Sequence, residues 1–171
     1  MLRVIGAFMV AGGAAALGFG AAFRLGKRVD ILSGLINAVD VICSELAFSL
    51  MGLPELFAVL EKQSPAPINR LFALCLGQLS QLGERSFSDI WKQAVWECLG
   101  GELTREQYAA VVELGLILGR YDARGQLEAL GQARKRLERL YNGALHERAE
   151  RGRLYGVLGA SAGAAVAIIL L

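Results

Sequence analysis

The stretch that decides the fold is SFSDIWKQAVWECLGGELTREQYAAVVELGLILG, residues 86–119. It contains two apolar patterns of helical period, separated by the glycines at 100–101. Each pattern begins with a capping signal, Ser86 in the first and Thr104 in the second, followed three residues later by an acidic or amide side chain. Such pairs satisfy amide groups that are otherwise unpaired at a helix N-terminus. The stretch therefore predicts two short helices joined by a tight turn.

Helical periodicity continues on both sides of this stretch, and no strand-like alternation is evident. Pro54 suits the first turn of a short helix that ends near Lys62, and residues 64–67 read as a loop. The following helix is predicted to bury Leu71, Leu74, Cys75, Gln78, Leu79 and Leu82. The helix from Thr104 is predicted to bury Tyr108, Val111, Val112, Leu116 and Leu118. Upstream, the predicted inward face is Ile31, Leu35, Val39, Ile42 and Leu46, and a last helix is expected after Asp122. The prediction is an all-α, antiparallel bundle of about six helices, whose first and last helices are long and extend into transmembrane helices.

Both ends of the chain are apolar. Residues 4–23 and 154–171 contain no charge. As a helix, the first stretch would span roughly 30 Å, the thickness of a bilayer's hydrocarbon core. We therefore predict transmembrane helices at 1–24 and 154–171, with a cytoplasmic bundle at 25–153 between them.

Basic residues lie where each apolar stretch meets the bundle. Excess Lys and Arg beside a span marks its cytoplasmic side, so the bundle is predicted to face the cytoplasm. These predicted membrane-interface residues are Arg24, Lys27, Arg28, Arg151 and Arg153, with Arg148 nearby.

Two alternatives concern these ends. The first stretch could be a cleaved signal peptide, since small residues at 14–16 suit a peptidase, although its length and the basic residues after it argue against export. The last stretch could be a buried core helix.

Small residues recur at intervals of four in both stretches, a spacing that favours close helix packing in lipid but also arises by chance in Gly/Ala-rich sequence. The predicted packing residues are Gly12, Ala16, Gly20, Gly159 and Gly163, either within one chain or in a homo-oligomer.

The sequence offers no pattern typical of catalysis or of cofactor binding. The net charge of +2 gives no electrostatic footprint for nucleic acid. The single histidine, His146, lies in a charged stretch, and the three cysteines, widely spaced among apolar neighbours, are interpreted as small buried hydrophobes. We expect neither an enzyme nor a bound metal or cofactor.

The order of these features resembles the stage III sporulation protein AB family. The opening MLRVIGA at 1–7, the segment LG at 114–115 with LGRYD at 118–122, and GRLYGVLG at 152–159 carry the resemblance, which runs the full length. The two apolar stretches are richer in Gly and Ala than expected of that family.

The resemblance implies a non-catalytic membrane platform in the mother-cell membrane around the forespore. Its helical domain would be similar to the cytoplasmic domains of type II secretion platform proteins, and would link a secretion-type cytoplasmic ATPase to channel subunits. We place a candidate partner-binding turn at Gly119, Arg120 and Asp122, where the simpler interpretation is helix termination by Gly119 and capping by Asp122. Rival functions are a membrane-anchored adaptor for another cytosolic protein and an extracytoplasmic domain behind a cleaved leader.

Overall fold

The computed structural model describes the backbone of residues 2–48, 51–119 and 123–170, and the side chains of residues 20, 22–48, 51–119, 125–151, 154 and 161. These ranges form six α-helices and one 3-10 turn, Leu79–Gln81. The helices, α1 to α6 in chain order, are Leu2–Phe48, Leu53–Gln63, Ile68–Gln78, Phe87–Leu99, Arg105–Leu118 and Ala123–Leu170. The predicted all-α, antiparallel architecture is confirmed, as are the long first and last helices.

Residue contacts divide the chain into two compact units. The core unit is Asp30–Asn142, and the terminal unit combines Met1–Val29 with Gly143–Leu171. Helices α1 and α6 contribute to both units, whereas α2 to α5 lie entirely in the core unit.

Both predicted capping signals are confirmed. The Ser86 hydroxyl oxygen accepts from the Asp89 amide at 3.2 Å. Thr104 and Gln107 form a reciprocal capping box, in which each side-chain oxygen accepts from the other residue's backbone N–H. These local contacts fix the starts of α4 and α5 without help from the rest of the fold.

An aromatic cluster fills the centre of the core unit. Phe57, Phe72, Phe87 and Trp91 are all buried, and their ring centroids lie 5.3 to 6.5 Å apart. The Trp91 indole N–H donates to the carbonyl of Val111 at 2.8 Å, so the ring is both buried and hydrogen-bonded. This cluster joins α2, α3, α4 and α5.

The core-unit part of α1 packs along the face that its sequence predicts. Ile31, Leu35, Val39 and Ile42 are almost fully buried. Leu46, nearer the end of the helix, is half-buried. On the solvent side, Asp40 pairs with Arg134 and links α1 to α6 within the core unit.

Two residues predicted to face inward are exposed instead. Leu82 is 46% exposed because α3 ends at Gln78, and the 3-10 turn takes Leu82 out of phase with the α3 core face. Leu116 is 59% exposed because the buried face of α5 is centred on Val111 and Gly115, where α4 approaches closely. A hydropathy pattern alone does not identify a glycine as part of a buried helix face.

Within the described residues, one helical segment is long and apolar enough to cross a membrane, Ala22–Phe48 in α1, with 44% of its apolar window buried. Its buried residues from Ile31 to Ile42 belong to the protein core, which accounts for much of its hydropathy. The predicted span at 1–24 overlaps it only at residues 22–24. The side chains of the stretches at 4–19 and 155–160 lie outside the described residues, so the two spans remain predictions.

Candidate interaction surfaces

An open groove of about 570 Å³ lies in the core unit, where α4 begins and α5 ends. We call it the end groove. Its lining residues are Leu82, Gly83, Glu84, Arg85, Ser86, Phe87, Ser88, Gly115, Leu116 and Gly119. The exposed Leu82 and Leu116, which the sequence prediction placed inside, give this groove apolar walls.

The glycines of the end groove determine its shape. Gly83 has a φ of +115°, a backbone conformation that side-chain-bearing residues rarely adopt, and it turns the chain from the 3-10 turn towards α4. A Cβ at Gly115 would lie 2.5 Å from Trp91 Cδ1, so only glycine permits this approach of α5 to α4. These two glycines thus set the path of the chain and the spacing of the helices beside the groove.

The end groove contains one cation that pairs with no described carboxylate. Arg85 donates to the amide oxygen of Gln93 at 2.9 Å and lies 3.5 Å from that of Gln78. Both partners are neutral, so the guanidinium is held in position without an ion pair to a described carboxylate, and Glu84 is the acidic residue that also lines the groove. An acidic group on a partner would find a positioned cation beside two exposed leucines.

The predicted partner-binding turn adjoins this groove. Gly119 is exposed, closes α5 with its amide bonded to the Gly115 carbonyl at 3.2 Å, and lines the groove. Arg120 and Asp122 lie outside the described residues, so their predicted roles stay predictions. The sequence pattern did not indicate Leu82, Arg85 and Leu116 as surface residues of one groove, because a helical pattern does not show where two helix ends meet.

Two of the predicted membrane-interface residues, Arg28 and Arg151, form ion pairs within the terminal unit. Arg28 on α1 pairs with Glu147 on α6 at 3.3 Å, and the same carboxylate pairs with Arg151 at 3.1 Å. Arg24 and Arg151 are exposed and Lys27 is half-buried, whereas the side chain of Arg153 lies outside the described residues. Leu25 and Val29 of α1 and Ala144 of α6 are buried.

Of the predicted small-residue faces, Gly20 is the member that lies among the residues with described surroundings. Around Gly20, no described heavy atom lies within 4 Å of the position of a Cβ. The side-chain surroundings of Gly12, Ala16, Gly159 and Gly163 are outside the described part of the chain. Their packing role remains a prediction.

The three cysteines are free thiols. Cys75 is fully buried, and burial, with a smaller effect of nearby Cys98, raises its pKa to about 12. Cys98 is half-buried, and burial raises its pKa as well. Across the described side chains, no group of three or more His, Cys, Asp or Glu residues is placed to hold a metal ion. His146 is 79% exposed beside Glu150, as its charged surroundings predicted.

Together these features define a helical-bundle protein with an open groove at one end of its core unit and a candidate membrane helix near its N-terminus. The sequence profile of stage III sporulation protein AB matches residues 3–171, and the chain belongs to this family of sporulation proteins.

Comparison with solved structures agrees on the fold. A structure of stage III sporulation protein AB (SpoIIIAB) is similar to this chain with a TM-score of 0.61 and 22% sequence identity. The similarity covers 68% of this chain and 92% of that one. None of the curated protein sequences matches the chain.

Proposed function

We propose that the chain is a non-catalytic membrane platform subunit of a secretion-like sporulation complex. It would sit in the mother-cell membrane around the forespore and link a cytoplasmic secretion-type ATPase to channel subunits. The observation that carries the proposal is membership of the sporulation family over residues 3–171, in a chain whose helices α1 and α6 extend into uncharged segments.

Two membrane segments, at 1–24 and 154–171, anchor the platform in this proposal. Both are uncharged over most of their length, and α1 and α6 run without interruption through residues 2–24 and 154–170. The basic residues of the terminal unit follow the first segment and precede the second, the arrangement of a cytoplasmic membrane face. The core unit would therefore be presented to the cytoplasm.

The end groove and the adjoining turn at Gly119 form the proposed contact surface for the ATPase. Exposed large apolar side chains beside a held cation are typical of the centre of a protein interface. Leu82, Leu116 and Arg85 supply these features. A partner segment with apolar and acidic side chains would complement them.

Topology mapping tests the anchoring. Single cysteines would be placed at exposed positions of the core unit in a variant without the native cysteines. The variants would be labelled with a membrane-impermeant maleimide in intact non-sporulating cells that express the chain, where the plasma membrane alone separates the cytoplasm from the medium. We expect labelling only after the membrane is permeabilised. Labelling in intact cells, or a mature protein that lacks the residues before about Ala22, would instead establish the extracytoplasmic alternative.

Co-purification tests the contact surface. Leu82→Glu and Leu116→Glu in the full chain are expected to remove most ATPase co-purification from sporulating cells, because each places a charge in the apolar groove. Phe48→Glu is the matched control, since Phe48 is 92% exposed and lies at the end of α1, outside the groove. Arg120→Glu with wild-type helicity and full co-purification would remove Arg120 from the partner-binding turn.

The adaptor alternative predicts a different result. If the chain captures the same partner from non-sporulating cells and no ATPase from sporulating ones, it is a general membrane adaptor and not a sporulation platform.

A further inference from the structure

The terminal unit contains more guanidinium groups than its described carboxylates can neutralise. Both oxygens of Glu147 are engaged, Oε2 by Arg28 and Oε1 by Arg151. The other described acid of this unit, Glu150, lies 3.3 Å from His146. Arg24 and Arg148 have no ion pair with any described carboxylate, and both are exposed. We call Arg24, Arg28, Arg148 and Arg151 the cation cluster.

The cation cluster spans two helices that lie against each other. The Arg148 guanidinium carbon lies 3.7 Å from the position of a Cβ at Gly26, so this α6 side chain rests on the α1 backbone. The Arg28–Glu147 pair connects the same two helices. Arg28 and Arg148 thus lie at the same level of the helix pair.

The antiparallel packing of α1 on α6 places Arg24 and Arg151 on the same side of the Arg28–Glu147 pair along the helix axes. Arg24 lies one turn from Arg28 towards the uncharged residues 4–23. Arg151 lies one turn from Glu147 towards the uncharged residues 154–171. In an antiparallel pair joined at Arg28 and Glu147, these two steps run in the same direction. Arg24 and Arg151 therefore flank the junction between the charged and the uncharged parts of the helices.

We propose that the cation cluster binds the phosphate headgroup of an anionic phospholipid. Like-charged guanidinium groups within a turn or two of each other on packed helices repel each other, an anion between them relieves this repulsion, and the guanidinium fork matches phosphate oxygens. Basic groups between membrane helices at the cytoplasmic face are a recognised setting for anionic lipid headgroups. The inference rests on the two membrane segments of the proposed function, which would hold the acyl chains alongside residues 4–23 and 154–171.

The test uses the full chain reconstituted in nanodiscs that contain phosphatidylglycerol and phosphatidylcholine in equal amounts. Native mass spectrometry after release in mild detergent counts the lipids of each class retained per chain. We expect a clear preference for phosphatidylglycerol. An Arg24→Gln/Arg151→Gln double variant should lower it by about 5-fold for each arginine removed, the fold-change that corresponds to about 1 kcal/mol per cation near an anionic surface.

Two further variants control for fold and for general charge. Arg24→Lys/Arg151→Lys keeps the charge and should retain most of the preference. Lys92→Gln/Arg105→Gln removes two exposed cations of the core unit and should leave the preference unchanged. Helicity measured by circular dichroism should be the same in all variants, because every substituted residue is exposed.

The outcomes separate this inference from the proposed function. If the chain enters nanodiscs but retains both lipids equally, or if the double glutamine variant keeps the wild-type preference, the lipid site is wrong and the platform can stand. Displacement of phosphatidylglycerol by millimolar inorganic phosphate would show a free-anion site and overturn the lipid assignment. A chain that does not enter nanodiscs at all would overturn the two membrane segments, and the lipid site with them.

Discussion

Gly115 is the residue on which the pairing of α4 with α5 depends. A Cβ there would meet three atoms of Trp91 at 2.5 to 2.8 Å, closer than real Cβ contacts come. Trp91 cannot easily move away, because it is fully buried, touches the aromatic cluster and donates to the Val111 carbonyl. A methyl group at position 115 must therefore push the two helices apart.

Gly115→Ala is expected to destabilise the fold by about 1–3 kcal/mol, the usual cost of overpacking a core. In a chain of this size that corresponds to a fall in Tm of about 2–12 °C, measured by circular dichroism of the full chain in detergent. Gly131→Ala in α6 is the control, since no described heavy atom lies within 4 Å of its Cβ position. It should raise stability by about 0.5–1 kcal/mol, as alanine usually does in a helix. Equal shifts for both variants would show that Trp91 does not restrict position 115.

Cys75 should be nearly inert although it carries a free thiol. Its pKa of about 12 leaves very little of the reactive thiolate at pH 9, and its side chain is fully buried. We expect iodoacetamide to modify Cys75 in the folded protein at least about 100-fold more slowly than in denaturant, as measured by peptide mass spectrometry.

Cys98 provides the internal comparison, because it is only half-buried. It should react faster than Cys75 in the folded protein and at a similar rate in denaturant.

The raised pKa of Cys75 also makes the stability of the fold depend on pH. The thiol of Cys75 ionises near pH 9.0 in the unfolded chain but only near pH 12 in the fold, so its contribution to stability is full below pH 9 and is lost as pH rises towards 12. Rapid modification of Cys75 in the native state would contradict both its expected low reactivity and its raised pKa in the fold.

At the scale of elements, one buried side chain from α6 closes the end of α5. The amide nitrogen of Gln126 donates to the carbonyls of Ile117 at 3.3 Å and Leu118 at 3.2 Å. These carbonyls belong to the last turn of α5, which lies beyond the helix's regular pairing, although the Gly119 amide also faces the Ile117 carbonyl. Because Gln126 is only 7% exposed, water cannot readily replace it.

Gln126→Met keeps the length of the side chain and removes the donor. We expect a loss of about 1–3 kcal/mol in the free energy of unfolding, the cost of leaving buried polar groups unpaired. Gln132→Met, at an exposed position of the same helix, should change stability by less than about 0.5 kcal/mol. Thermal unfolding of the full chain compares the two, and a neutral Gln126→Met would mean that these carbonyls find other partners.

The sequence predicts elements best where a few neighbouring residues decide the outcome. Ser86 and Thr104 mark helix starts correctly because each cap bonds to an amide three residues away. The buried face of α5 was misplaced at Leu116 because its phase depends on Gly115 and Trp91, residues of two different helices. Gln126 escaped notice for the same reason, since its partners lie on another helix. The end groove combines two separate segments, residues 82–88 and 115–119, and no single pattern in the sequence indicates it.

At the scale of the whole molecule, hydropathy has two different sources along α1. Between Ile31 and Ile42 the apolar residues are buried within the core unit, so protein rather than lipid covers them. The stretch at 4–23 is apolar without a charge over its whole length, a pattern for which a soluble core is the less natural explanation. The helix can therefore serve as a core element at one end and, as we propose, as a membrane segment at the other.

The division into units leads to a prediction about the isolated core. Asp30–Asn142 contains the whole aromatic cluster, both capped helices and the Asp40–Arg134 pair. We expect a fragment of residues 30–142 to be soluble without detergent and to unfold in one cooperative transition by circular dichroism, because its core is closed by its own helices. The full chain, with its two proposed membrane segments, should require detergent. Trp91→Ala in the fragment is the matched control and should cost about 3–5 kcal/mol, since it opens a cavity beside Phe57 and Phe72. An unfolded or aggregated fragment would show that the terminal helices are needed to close the core, and a detergent-free soluble full chain would remove the membrane anchor from the proposed platform.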